Sequence, residues 1–505
     1  MLACAVLFAC SLPLAQIPPP DAGTRLSRAL EEKRDAALRR ERDELQALAE
    51  KLEREKNAEA ARATRALLAA DAPAPRGASR FRPLPERIPR RETKGDDETK
   101  PIRSRAAAEL RRTMHSALAS QPPRLALAVE CARAISEREP ADAEVHRLLG
   151  YLPHDGGWIT PYAQSQLKKG LERHPVYGWV EKAWLTHLDA GELPAPLVPG
   201  RPTRWLPIAE ADALRREPGK GWQIRTEHFA IQANVPLAEA ISFGDRLEAF
   251  HQLFTSLFAD VVGPESSFAL LAKNPKLAPS AAKKQHKVYY FADKAEYVDR
   301  LLPIQGEAAA SSLGTYIPPR LARPRGSAAS YFFRDVDGQL DVVATLYHEV
   351  SHQLLFELAG LDRYEDHRPN FWIFEGLGTY FETLQVEPDG ELRYGGSIGP
   401  RMEQARKRLL EAREYVPIER FTRYDKPAFN GDAGDGDIYL HYAQAMALTV
   451  FFMQADAGAY REAFLDFARD VYKGRASKSL QARLGMSYEE IDRAILKSLE
   501  TTGPE

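Results

Sequence analysis

The chain has 505 residues, of which 44% are hydrophobic and 28% are charged, a globular composition with apolar residues for two to four folding units. Its 69 basic and 71 acidic side chains give a net charge of −2, which argues against nucleic acid as a partner. Of the three cysteines, Cys4 and Cys10 lie in the apolar N-terminal stretch, and Cys131 alone cannot form a Cys-rich zinc site, so any metal would be bound by histidines and carboxylates.

Residues 1–16 are apolar and uncharged, as in the hydrophobic region of a signal peptide. They are too short to cross a bilayer, and no other run of about 18 apolar residues occurs, so no transmembrane segment is predicted. We therefore expect export, to the periplasm, the envelope or the medium. Lipidation at Cys10 and a cytoplasmic protein with a frayed apolar N-terminus are the weaker alternatives.

Residues 17–70 are predicted to form a charged helix preceded by a short Pro-rich spacer. The spacer is residues 17–23, and the helix follows because residues 24–70 lack Pro and Gly. Leu38, Leu45 and Leu52 have heptad spacing, which would suit a weak coiled coil, but their charged neighbours favour a solvated helix. Six prolines and many charges predict a disordered linker at residues 71–104.

Helical spacing of apolar residues predicts a small helical module at residues 105–200, with Trp158, Trp179 and Trp184 in its core. An envelope partner could bind the N-terminal helices. From residue 201 to residue 505 strands come first and helices later, which predicts an α+β domain of two lobes.

The segment from Asp341 to Leu358 has the pattern of a helix and contains the HExxH motif His348-Glu349-Val350-Ser351-His352. Residues i and i+4 lie on one helical face, so the two imidazoles can bind one ion. Glu349 is displaced from that face and suits a general base rather than a ligand. Two capping or surface histidines are the alternative.

Glu375 lies 23 residues after His352 in an apolar, aromatic run, Phe371-Trp-Ile-Phe-Glu-Gly-Leu-Gly. A lone carboxylate is costly in such surroundings unless it is paired or binds a metal. It would complete a His₂Glu zinc site with an open fourth position. A helix-capping glutamate is the alternative.

The two motifs together resemble the gluzincin peptidases, especially peptidase MA-like domains, and a related uncharacterised domain of planctomycete-type bacteria. The resemblance covers about residues 220–500 and implies a zincin-like fold with Zn²⁺ on His348, His352 and Glu375 and with Glu349 as the general base. Gly378 stands where many of these proteins have Ala, a change expected to matter little. The interval from His352 to Glu375 is slightly long, which predicts a loop at 363–370.

Tyr442 resembles the tyrosine that donates to the oxyanion in aminopeptidase-like gluzincins, with Tyr439 and His441 as rivals. Core packing is an equally weighted alternative for Tyr442 and the favoured one for Tyr380.

Three further residues or segments have a functional and a simpler interpretation. Glu382 would either orient a ligand histidine or face solvent. His367 is expected to be exposed. The segment starting at Ser330 would be either an edge strand that pairs with a peptide or an ordinary strand.

These observations predict a zinc peptidase that acts on a peptide or protein substrate. Two alternatives stay open: a non-catalytic zincin-fold scaffold of the cell envelope, and a metal-dependent hydrolase of a non-peptide amide or ester.

Overall fold

The computed structural model describes the chain in ten segments, residues 22–70, 78–89, 98–196, 203–263, 266–319, 328–338, 342–359, 368–395, 399–474 and 479–501. The predicted signal peptide and His367 lie outside these residues. Among the described helices, none has both the length and the apolar character needed to cross a membrane.

The N-terminal part is a set of packed helices: α1 (Ala22–Arg54), α2 (Ala58–Ala70), α3 (Thr99–Ala119), α4 (Leu125–Arg138) and α5 (Ala143–Leu148). The predicted single helix is broken near Lys56, whose φ of 60° is outside the helical range, and α2 folds back along α1. Leu52 packs against Ala61 of α2, and Leu38 lies against the core formed by α3 and α4. The heptad leucines therefore pack within the chain, which differs from both a coiled coil and a solvated helix.

Residues 78–89 differ from the disordered linker predicted there. They form β1 (Ser79–Phe81), which pairs with residues 392–394, and β2 (Arg87–Ile88), which pairs with residues 158–159. The ring of Phe81 is buried beneath the guanidinium of Arg133, 4.0 Å away. Leu84 exchanges two backbone hydrogen bonds with the Gln252 side chain, at 2.9 and 3.0 Å. These tertiary contacts hold a segment whose composition alone favours disorder.

Residues 152–214 repeat one unit three times, a β-hairpin followed by a short helix. The units are β3 (Leu152–His154), β4 (Gly157–Ile159) and α6 (Pro161–Lys168); β5 (Leu171–His174), β6 (Gly178–Glu181) and α7 (Trp184–Asp189); β7 (Glu192–Pro194), β8 (Trp205–Pro207) and α8 (Ile208–Leu214). The sequence predicted a helical module here, because strands of three or four residues are too short for a clear alternating pattern. Trp158 is buried as expected, whereas Trp179 and Trp184 are half-buried.

A five-stranded mixed sheet and its helices form the next layer. They are β9 (Trp222–Arg225), β10 (Phe229–Ala233), α9 (Leu237–Leu257), α10 (Ala259–Val262), α11 (Ser267–Lys273), β11 (His286–Phe291), α12 (Lys294–Gln305), α13 (Ala308–Ser311), β12 (Thr315–Ile317) and β13 (Ala329–Phe333). The strand order is β12-β13-β11-β10-β9, with β10, β11 and β13 parallel and both edge strands antiparallel to their neighbours. The strand that contains Ser330 is therefore interior, and the hypothesis that it is the edge strand is wrong.

The C-terminal lobe is mainly helical. It contains α14 (Val342–Ala359), α15 (Phe371–Phe381), β14 (Gln385–Val386), β15 (Leu392–Tyr394), α16 (Pro400–Ala405), a π-helical turn at Arg406–Glu411, α17 (Ile418–Phe421), a second π-helical turn at Ala428–Asp432, α18 (Ile438–Gly458), α19 (Arg461–Tyr472), α20 (Leu480–Leu484) and α21 (Tyr488–Thr501). Helix α15 lies between α14 and α18. A Cβ at Gly376 would be only 2.9 Å from the Ala445 carbonyl oxygen, so glycine permits this close approach. The predicted α+β class is confirmed.

The N-terminal helices are part of the same packed body as the C-terminal lobe. Buried residues of α4 share a hydrophobic cluster with α10 and α11. The side chain of Arg124 lies 2.8 Å from Asp466 of α19, and Glu130 contacts both Arg34 and Arg461. The domain boundary predicted near residue 200 therefore does not separate two cores.

Candidate metal centre

Helix α14 places His348 and His352 one turn apart on the same buried face. Their Nε2 atoms are 3.0 Å apart. Glu375 projects from the neighbouring helix α15, and its Oε2 lies 3.3 Å from the Nε2 of His348 and 3.7 Å from that of His352. Three side chains from two helices thus direct one nitrogen or oxygen atom each at a common point.

These separations fit one small metal ion. Four ligands arranged tetrahedrally at 2.0–2.1 Å from zinc lie about 3.4 Å from one another. The observed separations of 3.0, 3.3 and 3.7 Å lie on both sides of that value. Two imidazoles and one carboxylate are also the donor set of catalytic zinc sites that keep a fourth position open.

The charge balance of the site favours a cation. Burial alone would lower the pKa of His348, but hydrogen bonds to Glu375 and Glu382 outweigh it and raise that pKa to about 10. Burial would likewise raise the pKa of Glu375, but the two histidines hold it below its ordinary range. The carboxylates of Glu375 and Glu382 thus favour positive charge at His348, and a divalent cation bound there would supply it.

The ring of His348 is oriented by Glu382, so the first of the two interpretations of this glutamate is the one observed. The Nδ1 of His348 lies 2.9 Å from Oε1 of Glu382. Glu382 in turn accepts hydrogen bonds from Nε of Arg401 at 2.6 Å and from its Nη2 at 3.0 Å. A carboxylate on Nδ1 fixes the tautomer that leaves Nε2 free to bind a metal.

His352 is positioned by packing. Its ring stacks on Phe374 with the centroids 3.8 Å apart and the planes 4° from parallel. Its Nδ1 is buried and has no hydrogen-bond partner among the described residues. The two histidines are therefore held differently, one by a charged network and the other by an aromatic ring.

Gly378 lies directly against the first histidine. A Cβ at this position would be 2.7 Å from Nε2 and 2.8 Å from Cε1 of His348. Real Cβ atoms almost never show contacts this short, so in this structure the replacement of Ala by Gly matters more than the sequence suggested.

Glu349 is half-buried, and its carboxylate is fixed by the edge strand of the sheet. Its Oε2 accepts a hydrogen bond from the backbone N–H of Tyr316 in β12, at 2.8 Å. Burial raises the pKa of Glu349 above its ordinary value, and the charges of His348 and His352 oppose that rise. A raised pKa suits a carboxylate that must accept a proton and later release it.

Tyr442 is the candidate in α18 that reaches the site. Its ring centroid is 6.4 Å from that of His348. Burial, followed by the charges of Glu375 and Glu349, raises the pKa of Tyr442 well above its ordinary value, so the phenol stays protonated. The other candidates face elsewhere: Tyr439 is 64% exposed, and His441 is buried with its Nδ1 2.6 Å from the Phe429 carbonyl oxygen.

Tyr380 is a packing residue, as predicted, because its ring is fully buried and its hydroxyl accepts a hydrogen bond from Gln454.

The described residues contain a second group with metal-ligand chemistry, His228, Glu248 and His251. Sequence patterns missed it because its members come from a loop and from α9. The rings of His228 and His251 stack 3.7 Å apart and 18° from parallel. A metal bound by an imidazole lies in the plane of the ring, so stacked rings cannot share one well. The Nδ1 of His228 instead pairs with Oε2 of Glu248 at 2.7 Å.

Comparison with known families gives one match. The family described as "Protein of unknown function (DUF1570)" matches residues 342–473. The matched segment contains His348, Glu349, His352, Glu375 and Tyr442, and the family is itself uncharacterised. No curated protein and no solved structure matches the chain.

Proposed function

We propose that the chain is a zinc-dependent peptidase of the gluzincin type. The observation that carries the proposal is the convergence of His348, His352 and Glu375, with ligand atoms 3.0 to 3.7 Å apart, within electrostatic reach of the carboxylate of Glu349. This set provides three protein ligands for zinc and a base placed next to them. A scaffold has no use for such a base.

Zinc bound by these three residues would supply a Lewis acid that lowers the pKa of a water molecule and polarises the scissile carbonyl. Glu349 accepts the proton of the attacking water and later delivers it to the leaving amine. Its hydrogen bond from Tyr316 fixes the carboxylate for both transfers. Glu382 keeps the proton of His348 on Nδ1.

Tyr442 would stabilise the negative charge that develops on the carbonyl oxygen of the substrate. Its high pKa keeps the hydroxyl proton available for donation. A preorganised donor in a largely buried site stabilises such a charge better than water does.

A zincin-like arrangement of the sheet and the active-site helix belongs to the same proposal. The antiparallel edge strand β12 contacts α14 and bonds to its Glu349, which supports that arrangement. Export, based on residues 1–16, stays a prediction from sequence.

Turnover by the zinc-loaded full chain tests the proposal, measured on a library of internally quenched fluorescent peptides. Glu349→Gln should lower kcat/KM by about 10²–10⁴-fold while zinc content stays unchanged. Glu357→Gln is the matched control, because Glu357 lies on the same helix and pairs with His286 rather than with the ligand histidines; it should keep most of the turnover.

Two results would contradict the proposal. Cleavage of esters or non-peptide amides, but of none of the peptides, would identify a different metal-dependent hydrolase. Zinc binding without turnover on either substrate class would favour the scaffold.

A further inference from the structure

Arg401 connects two parts of the candidate site that come from different helices. It lies at the start of α16, after the two strands that follow α15. Its guanidinium donates to both carboxylate oxygens of Glu382 and lies 5.3 Å from the ring centroid of Tyr442. One side chain thus contacts the carboxylate that orients His348 and the proposed oxyanion donor.

We infer that Arg401 is a positioning residue that holds Glu382 against His348 for zinc binding and holds Tyr442 for catalysis. This inference rests on the proposed function, and it assigns to Arg401 a role that no sequence pattern predicts.

The geometry of Glu382 supports the role of Arg401 in zinc binding. The side chain of Glu382 is 14% exposed, and its Oε1 is shared between Nδ1 of His348 and Nη2 of Arg401. The second oxygen is held by Nε of Arg401 at 2.6 Å. A guanidinium can bind both oxygens of a carboxylate in one plane, whereas a lysine ammonium is a single point charge. Arg401 therefore fixes both the plane and the charge of Glu382.

The contact with Tyr442 supports the role of Arg401 in catalysis. A guanidinium within about 6 Å of an aromatic ring is attracted to its face. Because Arg401 is already anchored by two hydrogen bonds to Glu382, it offers Tyr442 a rigid surface. Tyr442 also contacts Phe429, with the ring centroids 5.3 Å apart and the planes at 81°. The Tyr442 ring thus contacts both an anchored cation and a hydrophobic side chain.

Zinc affinity tests the role of Arg401 in zinc binding, measured on the full chain by competition with a fluorescent chelator. Arg401→Met should weaken zinc binding by about 10–100-fold, the usual cost of losing an outer-shell partner. Arg401→Lys should recover part of the loss. Adding Arg401→Met to Glu382→Gln should weaken binding little further, because Arg401 acts on His348 through Glu382.

Arg393→Met is the matched control. The side chains of Arg393 and Arg401 are 31% and 28% exposed, and Arg393 also pairs with a carboxylate, that of Glu387 at 3.1 Å. It lies on β15 and contacts none of the zinc ligands. Its replacement should leave zinc affinity unchanged, which separates positioning from the general loss of a surface ion pair.

Turnover at saturating zinc tests the role of Arg401 in catalysis. Arg401→Met should lower kcat more than KM changes, and the loss should be much smaller in a Tyr442→Phe background. Equal losses of kcat in the two backgrounds would overturn the contact with Tyr442 as the cause.

The outcomes separate this inference from the proposed function. Wild-type zinc affinity in Arg401→Met, or an additive effect with Glu382→Gln, overturns the zinc-positioning role alone. A parent protein that binds zinc but cleaves no peptide contradicts the proposed peptidase activity. The zinc-positioning role of Arg401 is then still tested by the zinc affinities of the Arg401 variants. A folded parent that binds no zinc overturns both.

Discussion

Gly378→Ala should damage the metal site while leaving the fold nearly intact. The added Cβ would be 2.7 Å from Nε2 of His348, and it needs at least 3.4 Å for an ordinary contact. The added methyl overpacks this part of the interior, and the His348 ring would have to move by about 0.7 Å relative to α15 to relieve the contact. It is not free to do so, because Nδ1 is hydrogen-bonded to Glu382 and the side chain is only 9% exposed.

The two effects of the substitution on stability largely oppose each other. Overpacking in a dense interior costs about 1–3 kcal/mol. Alanine in a helix interior gains about 1 kcal/mol over glycine. We expect the free energy of unfolding to fall by no more than about 2 kcal/mol.

The effect on zinc should be larger than the effect on stability. Any displacement that relieves the contact changes the position of Nε2 relative to Glu375, whose Oε2 is 3.3 Å away. Displacements of this size at a ligand should raise the zinc dissociation constant by about 10–100-fold.

Chelator competition gives the dissociation constant and urea denaturation gives the stability of the same sample. Gly219→Ala is the control, because nothing lies within 4 Å of its added Cβ. A stable Gly378→Ala protein with wild-type zinc affinity would refute the packing argument.

Three further predictions concern the oxyanion donor, the helical contact and pH. Tyr442→Phe should lower kcat by about 10²–10³-fold with zinc content unchanged, whereas the exposed Tyr439→Phe should have no effect; equal losses in both would remove the donor role. Arg124→Met should lower the unfolding free energy by about 1.5–3 kcal/mol in guanidinium denaturation, because the buried Asp466 loses one of its two arginine partners and keeps only Arg469; a loss below about 0.5 kcal/mol would contradict this. Burial and two nearby histidines lower the pKa of His251 well below its ordinary 6.5. As the pH falls, His251 is therefore protonated in the unfolded chain at a higher pH than in the folded chain. The unfolding free energy should then decrease below pH 6.5, and His251→Phe should flatten that slope by about 1.4 kcal/mol per pH unit; an unchanged slope would exclude His251 as its source.

The ligand set could be predicted because each part of it leaves a local trace in the sequence. His348 and His352 have the spacing of one helical face, and Glu375 is a charge within an apolar run. The structure brings all three together. Glu382 could be suggested only as an alternative, because its side chain meets His348 through the packing of α15 on α14.

Arg401 and the role of Gly378 could not be predicted, because both depend on tertiary distances. Arg401 lies 19 residues after Glu382 and reaches it only because α16 folds back toward α15. The arginine itself is one of many in the sequence. For Gly378, a glycine in a helix suggests close packing but does not identify the neighbour.

The N-terminal half shows where composition and periodicity mislead. Charged flanks at the heptad leucines suggested a solvated helix, yet α1 packs on α2 and α3. Prolines suggested a disordered linker at 78–89, yet two short strands there add to sheets formed elsewhere in the chain. Sequence spacing does not reveal which distant residues will cover a helix or extend a sheet.

Zinc content is the measurement that most directly tests the central claim. The full chain is stripped with a chelator, reconstituted with zinc, dialysed and analysed by elemental mass spectrometry beside His352→Ala, Glu375→Ala and Glu349→Gln. We expect close to one zinc per chain in the parent and in Glu349→Gln, and loss of zinc in the two ligand variants. A folded parent without zinc, or variants that retain it, would contradict the assignment of the metal centre.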